Sequence, residues 1–462
     1  MEKDMTKGSP MKLILGFAVP LLFGLLFQQF YSMVDAVIVG QYLGVDALAA
    51  VGATGSVNFL IIGFCMGVCN GFAIPIAQEF GAGHEVNLRK YVANGVWLSV
   101  LFSVVMTVAV VALCRPILQI MRTPSNIIDG SYDYIVIIFA GIPVVFLYNM
   151  TAAIIRSLGD SRTPVVFLVM AAILNIFLDL LLIIVFPMGV AGAAAATVAS
   201  QAIAGLCCLV YMCRKYTILR ISRDEWKWNR DFVSKLCNMG IPMGLQYSIT
   251  AIGSVILQSA VNSIGSDAVA AVTAANKLAM LIMCPFDAMG STMATYGGQN
   301  VGAGKLDRVD QGLKSCSLLG LVYSLVAVVI VYLAADKMLL LFLDAGETAI
   351  LGDAIKFLRI SVLFYFPLAL VNIVRFLIQG MGFSKLAVFA GAFEMLARGL
   401  AGFMLVPYFG FTAVCFANPL AWIFADIFLI PAFFHVRKVM AGILDGQKGQ
   451  QEHVEEAAAD TL

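Results

Sequence analysis

The chain has 462 residues, of which 61% are hydrophobic and 12% are charged, and its formal net charge is +1. A soluble domain is about half apolar and about one quarter charged, so this composition indicates a multi-pass membrane protein and argues against nucleic-acid binding. The ten cysteines form no CxxC pair and the three histidines form no metal-ligand motif. No cofactor or metal centre is therefore expected, apart from a coupling ion such as Na⁺.

Twelve apolar segments follow one another along the chain, and each provides the about 20 residues needed to cross a bilayer. They lie at 13–41, 47–77, 91–113, 127–155, 163–186, 190–212, 237–264, 268–296, 314–335, 351–379, 386–406 and 411–435. The sequence therefore predicts an all-α polytopic membrane protein with twelve transmembrane helices. Most of the 29 Lys and Arg residues fall in the termini and in alternate loops, which predicts that both termini are cytoplasmic.

An internal repeat relates the two halves of the chain at a spacing near 222 residues. GVDALAAVGA at 44–53 matches GSDAVAAVTA at 265–274, and the GAG at 81–83 matches the GAG at 302–304. Six spans in each repeat is an even number, so both halves enter the membrane from the same side. This arrangement is typical of transporters that alternate access to a substrate site between two lobes.

The repeat and a long basic stretch in mid-chain predict the domain organisation. We expect two pseudo-symmetric six-helix lobes at 1–212 and 237–440, a cytoplasmic linker at 213–236, and a disordered polar tail at 441–462. A repeat retained for packing alone is the simpler alternative.

The first span carries a carboxylate, Asp35, near its middle. Insertion of an aspartate in mid-membrane costs roughly 3 kcal/mol, so such a residue is usually retained because it pairs with a cation or proton. Gln28 and Tyr31 lie on or near the same helical face, and Pro20 removes one helix hydrogen bond and permits a bend.

Spans five and six supply further polar groups. Asn175 and Asp179 are four residues apart and share one helical face, while Thr197 lies as far from the intervening turn as Asp179 does. At 1.5 Å per residue, Asp35, Asp179 and Thr197 all lie roughly 12–14 Å below the outer surface. This oxygen set suits Na⁺ or a proton shared between carboxyl groups. Alternatively, each group bonds separately to a neighbouring helix.

The second lobe does not repeat this acidic set, because Leu257 and Gly402 occupy the corresponding positions. It carries other charges within its spans. Asp287 could face the space between the lobes and attract cationic substrates, or it could pair with Lys277 or Arg375. Glu394 is a second cavity candidate, although its spacing from Arg398 favours a local i, i+4 ion pair.

These residues and motifs resemble those of the MATE (multidrug and toxic compound extrusion) family across about residues 10–440. The resemblance rests on Pro20, Gln28, Tyr31 and Asp35, and on the segments GVDALAAVG, RSLGDSRTP, NIFLD and GVAGAAAAT. It implies two six-helix lobes forming a V, and efflux of mostly cationic, amphipathic compounds driven by H⁺ or Na⁺.

The family pattern also implies roles for individual residues. Asp35, Asn175, Asp179 and Thr197 match the first-lobe cation site of the DinF-like branch, with Gln28 and Tyr31 beside it and Pro20 at the bend. The acidic second-lobe residues of the NorM-like branch have no match in span seven. The chain looks closest to bacterial MepA-like and DinF-like members.

The sequence thus predicts a cation-coupled multidrug antiporter of the bacterial cytoplasmic membrane. Small-molecule drugs and the lipid bilayer are its expected partners, and it is expected to act as a monomer. A flippase for lipid-linked oligosaccharide, from the wider superfamily, is the alternative transport hypothesis. An integral membrane enzyme or receptor is a second alternative, which no histidine cluster, nucleophile motif or large extramembrane domain supports.

Overall fold

The structure is a computed structural model that describes residues 3–121, 123–343 and 346–459, with side chains up to residue 446. Within these described ranges, ten helical stretches are long and apolar enough to cross a membrane, and two bent pairs of helices bring the number to twelve if each pair forms one span. The predicted all-α architecture is therefore confirmed.

The first half of the described chain forms eight helices. They are α1 Pro10–Leu43, α2 Val45–Ala53, α3 Gly55–Ala82, α4 Glu85–Ile120, α5 Ile128–Ala140, α6 Ile142–Ser157, α7 Arg162–Leu180 and α8 Val190–Lys215. The second half also forms eight. They are α9 Arg230–Asn262, α10 Ser266–Gly302, α11 Leu306–Leu339, α12 Thr348–Val362, α13 Tyr365–Gly380, α14 Ser384–Leu400, α15 Val406–Phe409 and α16 Phe411–Ala459.

The two halves share the same irregularities. Helices α5 and α6 meet at an angle of 46°, and α12 and α13 meet at 52°. Pro143 and Pro367 lie in the first turns of α6 and α13, where a proline cannot continue the hydrogen bonding of the preceding helix. A π-helical turn extends α7 at Leu181–Val185, and another extends α14 at Ala401–Leu405. These matched features fit the predicted two-lobe repeat.

Two predicted boundaries need correction. The second apolar segment was expected at 47–77, but residues 45–53 form the separate helix α2 and the span begins at Gly55. The Thr54 hydroxyl donates back to the Val51 carbonyl at 2.7 Å between these helices. The tail at 441–462 was expected to be disordered, yet α16 runs to Ala459 because its Gln, Glu and Ala residues favour helix. Residues 460–462 lie outside the described part.

The lobes meet along α3 and α9, where glycines allow the two backbones to approach closely. A Cβ atom on Gly67 would lie 2.5 Å from the Met243 carbonyl oxygen, and one on Gly71 would lie 2.5 Å from the Gly240 Cα. Small residues are the usual means by which membrane helices pack tightly. Glycine at these positions therefore sets the distance between the lobes.

Residues 3–8, here called the amino-terminal strap, cross the seam between the lobes at one face of the bundle, the strap face. The Lys3 N–H donates to the Leu158 carbonyl of the first lobe at 2.9 Å. The Met5 N–H donates to Gln299 Oε1 of the second lobe at 2.8 Å, and Gln299 Nε2 donates to the Ser157 carbonyl at 2.8 Å. The strap thus joins both lobes and closes the strap face.

At the opposite face of the bundle, the described residues make no such connections between the lobes. Toward that face, the last hydrogen bond between the lobes runs from Ser248 Oγ to the Leu60 carbonyl, at 3.4 Å, among the residues that the structure describes. The lobes are therefore tied together at the strap face and are free to separate at the other, which we call the open face.

Candidate functional site

The carboxyl groups of Asp35 and Asp179 face each other inside the first lobe. Asp35 lies on α1 and is half-buried, whereas Asp179 lies at the end of α7 and is fully buried. The two groups are within reach of a hydrogen bond shared between carboxyls. Helices α1 and α7 pack closely because Gly24 leaves room for Val165, and this packing brings two residues 144 positions apart in the chain to one site.

Asn175 and Thr197 complete the set that the sequence predicts. Asn175 Nδ2 donates to Thr197 Oγ1 at 3.3 Å, and Thr197 Oγ1 donates to the Ala193 carbonyl at 3.1 Å. Asn175 is only 1% exposed, and it lies one turn before Asp179 on the same face of α7. The amide nitrogen of Asn175 therefore bonds to Thr197, and the Thr197 hydroxyl does not donate to the Asn175 amide oxygen.

Four buried oxygens at this site have no protein hydrogen-bond donor among the described residues. They are Asp35 Oδ1, Asp179 Oδ1, Asp179 Oδ2 and Asn175 Oδ1. A buried acceptor without a donor costs about 1–3 kcal/mol, and more when it is charged. A proton shared by the carboxyls or a bound cation would relieve this cost, so the site is chemically suited to bind either one.

A cavity of about 230 Å³ adjoins Asp35. Gln28 and Tyr31 line it, as the sequence predicts. Its other polar lining residues are Ser32, Asn58, Tyr134, Tyr148, Asn149, Thr197 and Gln201. Of the predicted site residues, Gln28, Tyr31, Asp35 and Thr197 thus border one polar cavity within the first lobe.

Pro20 lies inside α1, which the structure assigns as one helix from Pro10 to Leu43. The proline removes one backbone donor from that helix. The predicted bend of the first span at Pro20 stays a prediction.

Asp287 faces the space between the lobes. Ser291 and Thr295 follow it at intervals of four residues on α10 and line a cavity between the lobes, so Asp287 shares their helical face. Its side chain is exposed, and it has no ion-pair partner among the described residues. The predicted alternative partners are engaged elsewhere: Lys277 lies over the Phe342 ring at 5.8 Å, and Arg375 bonds to Glu394.

Glu394, the second cavity candidate, lines neither the first-lobe cavity nor the cavity between the lobes. It is buried in the second lobe, where it accepts hydrogen bonds from Arg375 and, at 3.4 Å, from Arg398. Arg398 Nε also donates to Asn418 Oδ1 at 3.1 Å. The expected i, i+4 pair is present, but Arg375 was not predicted as the second partner of Glu394, because Arg375 lies on another helix.

The sequence also missed Asp426 on α16, which is 8% exposed and lies near the Arg375–Glu394–Arg398 cluster. Two residues that line the first-lobe cavity, Asn58 and Tyr134, were also missed. Each stands alone in an apolar helix, and neither spacing nor charge shows which cavity it would face. Gln201 carries a detectable signal, since it lies one turn after Thr197 on α8.

Comparison with known proteins places the chain in a family. The MatE family model matches residues 20–181 and again residues 242–404, at the spacing of the internal repeat. The chain is 32% identical to the "Probable multidrug resistance protein YoeA" of Bacillus subtilis (strain 168), over 72% of this chain and 73% of that protein. It is 30% identical to the "Probable multidrug resistance protein YpnP" of the same organism, over 80% and 82%.

The fold also matches solved structures. One of them is described as the "Outward-facing conformation of a multidrug resistance MATE family transporter of the MOP superfamily". It superposes with a TM-score of 0.87 and 23% identity, over 96% of this chain and 98% of that chain. On the strength of the family model and these relatives, the chain belongs to the MatE family and is a membrane transporter, not an enzyme.

Proposed function

We propose that this protein is an antiporter that exports amphipathic, mostly cationic drugs in exchange for H⁺ or Na⁺. The observation that carries the proposal is the group of four buried acceptor oxygens at Asp35, Asp179 and Asn175, which has no protein donor among the described residues. Two facing carboxyls that ionise together repel each other in a medium of low dielectric. A coupling ion is the group that neutralises them.

The proposed class of substrates, cationic drugs, is supported by the names of two relatives and by the acidic residues along the transport path. YoeA and YpnP are both named as probable multidrug resistance proteins. Asp287 gives the space between the lobes a negative charge, and Asp35 does the same for the first-lobe cavity. Acidic groups at two points along the path favour cationic substrates by simple electrostatics. One chain contains both lobes and the complete cleft, so it is proposed to work as a monomer.

The proposed orientation places the strap face in the cytoplasm, because the termini and most basic loops lie on that side. The described conformation is then outward-open. In the proposed cycle, an external ion binds at Asp35 and Asp179 and displaces the drug from the cleft. The lobes then rock to open inward, the ion leaves to the cytoplasm, and a new drug molecule binds.

A flippase would be favoured by a substrate cavity lined with Arg375 and Arg398 and by an Asp35 side chain exposed to lipid. Arg375 and Arg398 are instead 5% and 6% exposed and share Glu394, while Asp35 borders a polar cavity. These positions support the antiporter proposal.

Ethidium efflux from cells that lack other drug pumps tests the proposal. The Asp35→Asn variant should accumulate ethidium as cells without the protein do, whereas Asp46→Asn, which changes an exposed carboxylate at the open face, should behave as wild type. Purified protein in liposomes with separately imposed Na⁺ and H⁺ gradients then identifies the coupling ion. Wild-type efflux by Asp35→Asn would refute the assigned ion site.

A further inference from the structure

Arg156 is a cation at the floor of the space between the lobes. It lies near the end of α6 and lines a cavity whose walls come from both lobes. Asn70 and Arg156 belong to the first lobe, whereas Met243, Ser291 and Thr295 belong to the second. The neighbouring Ser157 carbonyl accepts the hydrogen bond from Gln299 that joins the lobes at the strap face. The cavity therefore lies directly inside the closed end of the cleft.

The Arg156 guanidinium has no carboxylate partner among the described residues. Its one protein hydrogen bond there runs from Nη2 to Asn70 Oδ1 at 3.0 Å. Its electrostatic neighbours are Tyr148, Tyr247, Cys69 and Cys208, all of them without formal charge at neutral pH. A guanidinium has five N–H donors arranged in a fork that matches a carboxylate or phosphate. Most of this donor capacity is therefore available to a ligand.

The cavity has a volume of about 40 Å³. One water needs roughly 10–15 Å³ of such space, so there is room for a small anionic group but not for a whole drug. The body of a ligand would have to extend into the wider cleft toward the open face.

Helix α10, which lines this cavity with Ser291 and Thr295, also carries the acidic residue Asp287. Asp287 precedes Ser291 and Thr295 by one and two turns on the same face of α10, so it lies roughly 6–12 Å from them along the helix axis. Tyr247 is an electrostatic neighbour of both Asp287 and Arg156. The wall of the cleft thus offers a cation at its floor and an anion above it.

We propose that Arg156 binds the carboxylate of zwitterionic substrates, whose cationic part faces Asp287. This inference rests on the proposed export function and extends its substrate class from cations to amphipathic zwitterions. The Arg156 fork would hold the acid group in the small cavity, while Asn70 keeps the guanidinium in place. Arg156 then discriminates between a substrate with a free acid and the same substrate with an ester.

Rhodamine 110 and rhodamine 123 provide a matched pair of probes, because they share one ring system. Rhodamine 110 has a free carboxyl group, and rhodamine 123 has the methyl ester of that group. Binding of each to purified protein can be followed by fluorescence anisotropy. In Arg156→Gln, the affinity for rhodamine 110 should fall by about tenfold to a hundredfold, as expected for lost charge-assisted hydrogen bonds. The affinity for cationic rhodamine 123 should rise, because a like charge has been removed.

Two further variants separate recognition from structure. Arg156→Lys keeps the charge but loses the fork, so it should bind rhodamine 110 with intermediate affinity. Arg162→Gln removes an exposed arginine six residues away and should leave the affinities for both dyes unchanged. A defect in folding would lower both affinities together, rather than moving them in opposite directions.

The outcomes distinguish this inference from the proposed function. If wild-type protein and Arg156→Gln bind rhodamine 110 equally, or if wild-type protein does not bind it at all, the assignment of Arg156 is wrong. Efflux of rhodamine 123 from proteoliposomes tests export independently. Ion-driven export of rhodamine 123 without any effect of Arg156 on rhodamine 110 would overturn the inference and leave the proposed function standing.

Discussion

The two lobes hold their buried carboxylates in opposite ways. In the second lobe, Glu394 is 4% exposed and its two oxygens are bonded to Arg375 and Arg398. In the first lobe, Asp179 is fully buried, but neither of its oxygens has a donor among the described residues, and its neighbour Asp35 opens onto a polar cavity. Similar groups in similar surroundings thus differ in whether the protein itself supplies the counter-charge.

This difference distinguishes charged residues that stabilise the fold from charged residues that can bind a transported ion. An ion pair made inside the protein is complete, and it holds helices together at a fixed desolvation cost. A carboxyl pair left without a partner depends on a mobile ion, so its charge can change during a transport cycle. The repeat thus provides one scaffold twice, and the two copies treat Asp179 and Glu394 differently.

The largest expected effect is on transport, in the Asp179→Asn variant. Loss of one of the two facing carboxyls should reduce drug efflux to the level of cells without the protein. Thermal stability in detergent should not fall, because the substitution removes a repulsive buried pair. Asp129→Asn is the matched control, since it alters a carboxylate that is 77% exposed and paired with Arg115. Normal efflux by Asp179→Asn would remove the contrast between the lobes.

The next effect is on stability, in the Glu394→Gln variant. Removal of this carboxylate takes away the ion-pair partner that two buried guanidinium groups share, and breaking such a pair typically costs about 3–5 kcal/mol. Thermal unfolding and the yield of folded protein should both drop. Glu85→Gln breaks the pair with Arg89, in which the Glu85 side chain is 62% exposed, and should cost less than about 1 kcal/mol. Equal stability of the two variants would show that the cluster has no structural role.

The sequence could predict the depth of the first-lobe groups but not the contacts of most other polar residues. Depth follows from counting residues along a helix at 1.5 Å each, so Asp35, Asp179 and Thr197 could be placed at one level. The direction in which a side chain points depends on which helices pack around its own. For this reason the contact of Arg375 with Glu394 and the position of Arg156 on the floor of the cleft emerge only from the three-dimensional packing.

Asp160 is a buried carboxylate that is held in a third way, by hydrogen bonds from uncharged groups of the protein among others. Its substitution is expected to have a smaller effect than those of Asp179 and Glu394, and that effect is on stability. It lies outside the spans, at the strap face, 6% exposed. Its oxygens accept hydrogen bonds from the Tyr216 hydroxyl at 2.7 Å, the Thr163 hydroxyl at 2.8 Å and the Arg162 N–H at 2.9 Å. Burial alone would raise its pKa, but hydrogen bonds that include those from Tyr216 and Thr163 outweigh burial and lower the pKa from 3.8 to about 2.

A lowered pKa means that the folded state favours the ionised carboxylate. The resulting stabilisation, about 2 kcal/mol for this shift, is complete above the unfolded pKa of 3.8 and is lost as the pH falls toward about 2. Asp160→Asn should therefore lower the thermal stability of the purified protein by a constant amount between about pH 5 and pH 7. Asp224→Asn, at an exposed position in the linker, should cause no measurable change. An unchanged stability of Asp160→Asn across this range would show that the ionised Asp160 carboxylate does not stabilise the folded protein.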